Sequence, residues 1–249
     1  MTMINDAGLT LAMLAVAFAA TMVGRFAVRR FSPHQRIIPA YVVLPELAAD
    51  AVESSHRLHF SMGSSALGET STISALASAE VIYRLAERLA IGYELPIVTT
   101  ARAITLPLAS DTLRRAFEYR QNMATYRSTA AAWYPQGPRS MAFAAGIASL
   151  AADNDVDSNV LLGRFGYEAA LIGESALRYD QRLIMHSDLV EGQALAFAQA
   201  DYYLLGEELY VGPAYLDGTG LERGGVFALD VLRWLVILGV LVAALEAAL

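Results

Sequence analysis

The residues that come nearest to a chemical motif are Gly63-Ser64-Ser65-Ala66-Leu67-Gly68-Glu69-Thr70. Two glycines with four residues between them, followed by a hydroxyl, have the spacing of a phosphate-binding P-loop. The motif fails at one position. Glu69 stands where a lysine must reach the β- and γ-phosphates, and a carboxylate there repels them. ATP hydrolysis is excluded on that ground. A Gly- and Ser-rich loop before a helix can still hold a weaker anion at the helix N-terminus. The competing expectation is that its hydroxyls cap the helix.

Further along the chain, Thr99-Thr100 ends an apolar run, with Ser110-Asp111 beyond it; capping and helix-dipole roles account for these. In Gly163-Arg164-Phe165-Gly166-Tyr167-Glu168, two glycines bracket an arginine whose guanidinium could hold a carboxylate or phosphate. The alternative is a tight turn with Arg164 tied to Glu168. His186-Ser187-Asp188 cannot form a catalytic triad among themselves, because a triad needs reach in space and not adjacency. His186 with Ser64 or Ser65 lacks a Gly-x-Ser-x-Gly elbow, so Ser187 or Asp188 reads as a helix cap. Glu207 and Glu208 after Gly206 suit the first turn of a helix. Glu69, Glu168, His186 and Glu207 would make an oxygen-rich metal site if brought together, but none has dedicated spacing such as His-Glu-x-x-His. His56 and His59 fall on opposite faces of a strand. The candidate ligand-binding set is therefore Gly63, Ser64, Ser65, Gly68, Thr70, Thr99, Thr100, Arg164, Glu168, His186 and Glu207. No catalytic residue, metal ligand or cofactor is assigned, and the balance leans away from an enzyme.

Composition narrows the chemistry further. With no cysteine there are no disulfides, thiolate nucleophiles or Cys-ligated metals. All 18 basic residues are arginine, which removes Schiff-base and general-base lysines. A formal charge of −7 argues against nucleic acid as a partner.

These residues need elements to hold them. After the prolines Pro39 and Pro45, where residues 36–44 read as an extended lead-in or edge strand, short apolar runs alternate with longer helical ones. The predicted strands are 58–62, 97–100, 130–134, 159–162, 182–185 and 202–205; the predicted helices are 70–91, 106–121, 140–152, 167–179, 188–199 and 206–215. This β-then-α alternation predicts a doubly wound α/β domain with a mostly parallel sheet of about six strands and helices on both faces. In such folds ligands sit beyond the C-terminal ends of the strands, which is where the candidate residues fall.

The ends of the chain are of another kind. Ala7 to Gly24 carries no charge and, extended to Val28, is long enough to cross a bilayer. Asp6 precedes it where a signal peptide carries positive charge, so a retained anchor is expected. From Trp234 to Leu249 only Glu246 is charged, and Asp230 and Arg233 can pair at the membrane surface. Arg25, Arg29, Arg30 and Arg36 follow the first segment, and Arg223 and Arg233 precede or begin the second. The positive-inside rule then puts the domain in the cytoplasm. The expected organisation is a transmembrane helix over 1–30, a cytoplasmic α/β domain over 31–225 and a second transmembrane helix over 226–249.

Several phrases occur together: Val98-Thr99-Thr100, Leu108-Ala109-Ser110-Asp111-Thr112-Leu113-Arg114-Arg115-Ala116, Gly163 to Glu168, Leu205-Gly206-Glu207-Glu208-Leu209, and Asp230-x-x-Arg233 before the last apolar run. As a set they resemble a family of bacterial membrane proteins of unknown function, over nearly the whole chain. The resemblance implies the same anchored Rossmann-like architecture and supplies no mechanism. The function expected is a scaffold in the cell inner membrane, self-associating as a homo-oligomer, with the lipid bilayer and other membrane proteins as partners. The alternative is an anchored module that binds a small anion or nucleotide.

Overall fold

The computed structural model describes residues 36–152 and 155–217 and, at the two ends, positions 8, 11, 14–16, 18–24, 226, 230–231, 233–237 and 239–240. The chain groups into two compact units. One is Ile37–Gly212; the other joins the two ends, Met1–Arg36 and Pro213–Leu249.

The first unit begins with helix α1 (Pro39–Ser54), then runs β1 (Arg57–Gly63), α2 (Thr72–Leu89), β2 (Ile97–Thr100), α3 (Leu106–Tyr119), β3 (Ala131–Trp133), α4 (Met141–Ala151), β4 (Val156–Arg164), α5 (Glu168–Arg178), β5 (Arg182–His186), α6 (Val190–Gln199) and β6 (Tyr202–Leu204). The strands form one sheet in the order β3-β2-β1-β4-β5-β6, and every pair is parallel. Strand order reverses between β1 and β4, which makes that boundary the topological switch point. Helix α1 packs on α2 and α2 on α3; likewise α4 packs on α5 and α5 on α6. Right-handed crossovers on either side of a switch point produce this division between the two faces. Central strands covered on both faces need apolar side chains pointing both ways. Leu58, Phe60 and Met62 serve one face of β1, while Leu161, Leu183 and Met185 meet Phe143, Ile147 and Ile172 on the α4–α6 side.

The expectation of an extended lead-in over residues 36–44 is corrected: Pro39–Ser54 is a helix. Pro39 sits at the first helical position, where its missing N–H has no intrahelical acceptor to lose. Pro45 lies inside the helix and costs about 3 kcal/mol there. Burial of Tyr41, Leu44 and Leu47 offsets this, at about 1.5–3 kcal/mol for each large apolar side chain. The Tyr41 hydroxyl also donates to the Glu208 carbonyl at 2.7 Å, tying the start of α1 to the segment after β6. The helix expected over 206–215 divides into a 3-10 turn, Gly206–Leu209, and helix α7 (Gly212–Asp217). Pro213 has no N–H to continue a ladder from Leu209.

The expected spanning helices, 1–30 and 226–249, fall largely outside the described residues. Among the described residues no helix is long and apolar enough to cross a membrane. The positions that are described there are helical, and Arg233 lies 3.7 Å from Asp230 as an i,i+3 pair.

One chain of polar side chains crosses the middle of the sheet, fully inside. Thr99 on β2, His59 on β1, Asn159 on β4 and Gln181 before β5 are all buried. His59 Nε2 is 2.8 Å from Thr99 Oγ1 and its Nδ1 is 2.7 Å from Asn159 Oδ1. Asn159 Nδ2 donates to Gln181 Oε1 at 2.8 Å, and Gln181 Nε2 donates to the Val156 carbonyl at 2.8 Å. The last acceptor fixes the protons before it as far as His59 Nδ1. A carbonyl only accepts, so Gln181 Oε1 must accept from Asn159, whose Oδ1 must accept from His59 Nδ1–H. With the ring kept neutral by burial, Nε2 accepts from the Thr99 hydroxyl, which also lies 3.4 Å from the Phe60 carbonyl. Burial holds the His59 pKa down at about 4, against an ordinary 6.5, with the Asn159 hydrogen bond pulling the other way.

The unfolded chain therefore takes up a proton at His59 that the folded chain resists. The stability this contributes is complete above the unfolded pKa and is lost as pH falls toward the folded one. The His59 share of that loss is about 3 kcal/mol between about pH 7 and pH 4. Denaturant titrations at both pH values will show a smaller acid loss in His59→Gln, by about that amount; an equal loss in both chains would refute the assignment.

Candidate functional site

The switch point brings together the two most suggestive loops of the sequence, those after β1 and β4. Gly63 stands in register with Arg164. The pairing continues past the strand: Ser64 donates from its backbone N at 2.8 Å and its Oγ at 2.9 Å, both to the Arg164 carbonyl. The glycines permit this closure. A Cβ on Gly63 would stand 2.3 Å from the Arg164 oxygen, and one on Gly163 would stand 2.5 Å from the Met62 oxygen and 2.6 Å from Ser65 Oγ. In dinucleotide-binding folds a glycine here lets pyrophosphate approach the backbone. In this chain the neighbouring loop makes that approach.

Neighbouring junctions join the same seam. Ala101 N donates to the Gly63 carbonyl at 2.8 Å, Asp188 N to the Gly163 carbonyl at 3.0 Å, and Thr105 Oγ1 to the Ser65 carbonyl at 2.7 Å. Ser187, expected as a helix cap, instead locks β4 to β5: its Oγ donates to the Phe165 carbonyl at 2.7 Å and accepts from Phe165 N at 3.1 Å and Leu189 N at 3.0 Å. The loop hydroxyls before α2 behave likewise. Ser71 Oγ accepts from Ala66 N at 3.0 Å and Thr72 Oγ1 donates to the Glu69 carbonyl at 2.7 Å. These bonds fold the loop, and no side chain caps the helix.

The remaining candidates divide. Gly68, with φ +79° and open space around it, is a turn residue, and Glu69 is paired with Arg102. Thr100 Oγ1 accepts from Arg102 N at 3.2 Å, turning the chain after β2. Thr99 is drawn into the sheet by His59 and does not reach the edge. Glu168 opens α5, buried, with its carboxylate over Gly166. Glu207 lies in the 3-10 turn, and Glu208 Oε2 accepts from Leu205 N at 2.8 Å.

Arg164 does not turn to Glu168. Its Nη1 donates to Thr70 Oγ1 at 3.1 Å and its Nε lies 3.9 Å from Asp188 Oδ1. Burial pushes the Asp188 carboxyl above the usual range, while Arg164 and the residue's own backbone N–H pull it down. Tyr210 is raised by burial and then by the Asp188 charge. His186 is buried, with Nε2 at 3.1 Å from the Gly206 carbonyl. Burial lowers its pKa; the carbonyls of Gly206 and Gly163 favour the protonated ring, though Nδ1 makes no hydrogen bond of normal geometry. His186 makes no hydrogen bond to Ser64 or Ser65. Asp188 and Tyr210, the partners that complete this cluster, were hidden in sequence because Asp188 stands at a position that reads as a cap. Arg164 and Thr70 offer donors to a single anionic group, which would have to displace or neutralise Asp188. Among the described residues no group of three or more His, Asp or Glu could hold a metal ion.

A family model described as a domain of unknown function (DUF6754) matches residues 2–249. The chain belongs to this family. The match runs through both ends as well as the α/β unit. No curated protein and no solved structure matches the chain.

Gly63→Ala and Gly163→Ala will each cost on the order of 3–5 kcal/mol, because backbone oxygens must move; Gly68→Ala, strained in φ alone, will cost about 1 kcal/mol. Thermal melts of the three purified variants check the ranking. Asp188→Asn will leave neutral-pH stability unchanged or raised, since it removes a carboxylate whose charge is penalised by burial. Arg164→Met will move the Asp188 carboxyl titration, followed by carbon NMR, to higher pH.

Proposed function

We propose that this chain is a membrane-anchored structural protein, tethered at both ends and self-associating in the bilayer. The observation that carries the reading is the exposure of large apolar side chains on helical residues at each end. Leu11 is 72% exposed and Phe18 66% at one end, and Trp234 is 69% and Val240 63% at the other. Apolar helical surface of this kind belongs against lipid or another chain, since each such side chain gains about 1.5–3 kcal/mol on leaving water. The uncharged run from Ala7 to Gly24 and the arginines that follow it support an inner-membrane location with the α/β unit in the cytoplasm. A family unit that includes both ends favours the same view.

The hydrogen-bonded seam between the β1 and β4 loops weighs toward a scaffold. A second reading, an anchored module for a small anion, draws on Arg164 and on two buried polar atoms without a hydrogen bond, Ser65 Oγ and His186 Nδ1. A thermal shift with inorganic phosphate or nucleotides would favour it.

The anchor is tested by alkaline carbonate extraction of membranes carrying the full chain. Retention in the pellet is expected, and release into the supernatant overturns it. Self-association is tested by native mass spectrometry in mild detergent, where multimers are expected and a clean monomer overturns the scaffold reading.

A further inference from the structure

We infer that the C-terminal edge of the sheet is the surface of the α/β unit that lies against the lipid bilayer, an inference that rests on the anchored reading above. Three observations within the Ile37–Gly212 unit carry it.

The first is where the chain arrives and leaves. Helix α1 runs back along the sheet before β1 begins: its last residues and Ser55-His56 lie beside Leu89 and Gly92-Tyr93-Glu94, which lead into β2. Its first turn lies at the opposite edge, where the Tyr41 hydroxyl meets the Glu208 and Leu209 carbonyls beyond the end of β6. The unit therefore begins, at Ile37, on the C-terminal edge of the sheet. The last strand leaves the sheet on the same edge: β6 finishes at Leu204, and the 3-10 turn beyond it meets the first turn of α1 before the chain reaches Gly212. A domain held to a membrane through both its ends presents to the membrane the edge from which those ends emerge.

The second is what that edge displays. Each junction along it carries a large apolar side chain turned outward: Ile37 before α1, Ile73 after β1, Ile104 after β2, Trp133 at the end of β3, Tyr167 after β4 and Val190 after β5. Ile37, Ile73, Tyr167 and Val190 are 76%, 68%, 73% and 80% exposed. Trp and Tyr are the residues favoured at headgroup depth, and isolated aliphatic tips gain by shallow burial at the acyl boundary.

The third is how that edge treats charge. Glu69 and Arg102 are paired there, and Arg164 is satisfied by Thr70 and faces Asp188. Pairing lowers the cost of bringing these groups toward a medium of low dielectric. Exposure alone does not single out this edge, for Tyr93, in the α2–β2 connection at the other edge, is 91% exposed. The position of both chain ends does, and Tyr93 supplies the control.

The chain has no cysteine, so single labels need no prior substitution. The full chain carrying Ile104→Cys, Val190→Cys or Tyr93→Cys, each with a thiol-linked fluorophore, is placed in nanodiscs whose lipids bear a headgroup spin label. The three side chains are all exposed, so the fold tolerates the change. Labels at 104 and 190 are expected to lose most of their emission and the label at 93 to keep it. Full emission at all three positions, or loss at 93 alone, overturns the inference. Carbonate extraction of the same labelled chains separates the two failures. A chain retained in the pellet with 104 and 190 unquenched refutes only this orientation, whereas a chain released by carbonate refutes the anchor and the orientation with it.

Discussion

The sheet is organised around a histidine that must stay neutral. His59 lies in the central strand with Thr99 on one side and Asn159 on the other; its Nδ1–H donates to Asn159, and burial keeps the ring neutral so that Nε2 can accept from Thr99. The Val156 carbonyl, at the far end of the chain of bonds, sets their direction as far as His59 Nδ1. A fully buried polar group costs free energy unless each of its partners is in place, so the network is worth having only when β2, β1 and β4 meet in one register. Apolar strands tolerate slippage; this row does not. The register it specifies places Gly63 against Arg164 and so determines what happens at the switch point.

What happens there sets this fold apart from the dinucleotide-binding use of the same strand order. The order β3-β2-β1-β4-β5-β6 produces a switch point between β1 and β4. Here the loops on either side hydrogen-bond to each other through Ser64 and the Arg164 carbonyl, and Ser187 adds a second tie one strand further on. Small residues that would admit a ligand admit a neighbouring strand end. The C-terminal edge of the sheet carries apolar tips and paired charges. That surface suits a chain whose two ends carry exposed apolar helical residues.

Much of the fold was legible in the sequence because strand and helix announce themselves by period. Ile97–Thr100 and Arg182–His186 are short β-branched or apolar runs between breakers, and the alternation with helices left few topologies open. Pro39 and Pro45 misled for a physical reason: local propensity sees the missing N–H groups, whereas the burial of Leu44 and Leu47 that outweighs them is tertiary. The site was legible only in part. Gly63 and Gly163 stand out in the sequence, but a glycine that admits a phosphate and one that admits a carbonyl look alike in one dimension. Thr99 looked like an edge residue because its partner, His59, is separated from it by 40 positions. Asp188 and Tyr210 were missed because their meeting depends on the turn after β6.

Helix α1 has a consequence for how the molecule bears load. By returning across the sheet before β1 starts, it places its own first turn and the segment after β6 on one edge. Lateral tension between those points would not shear the parallel strands, whose hydrogen bonds would have to break together. It would fall first on the contact between α1 and the segment after β6, where the Tyr41 hydroxyl meets the Glu208 and Leu209 carbonyls. That contact rests on one hydroxyl, whose single hydrogen is shared between the two carbonyls. Tension along that edge would open the seam at Tyr41 before it reached the paired strands.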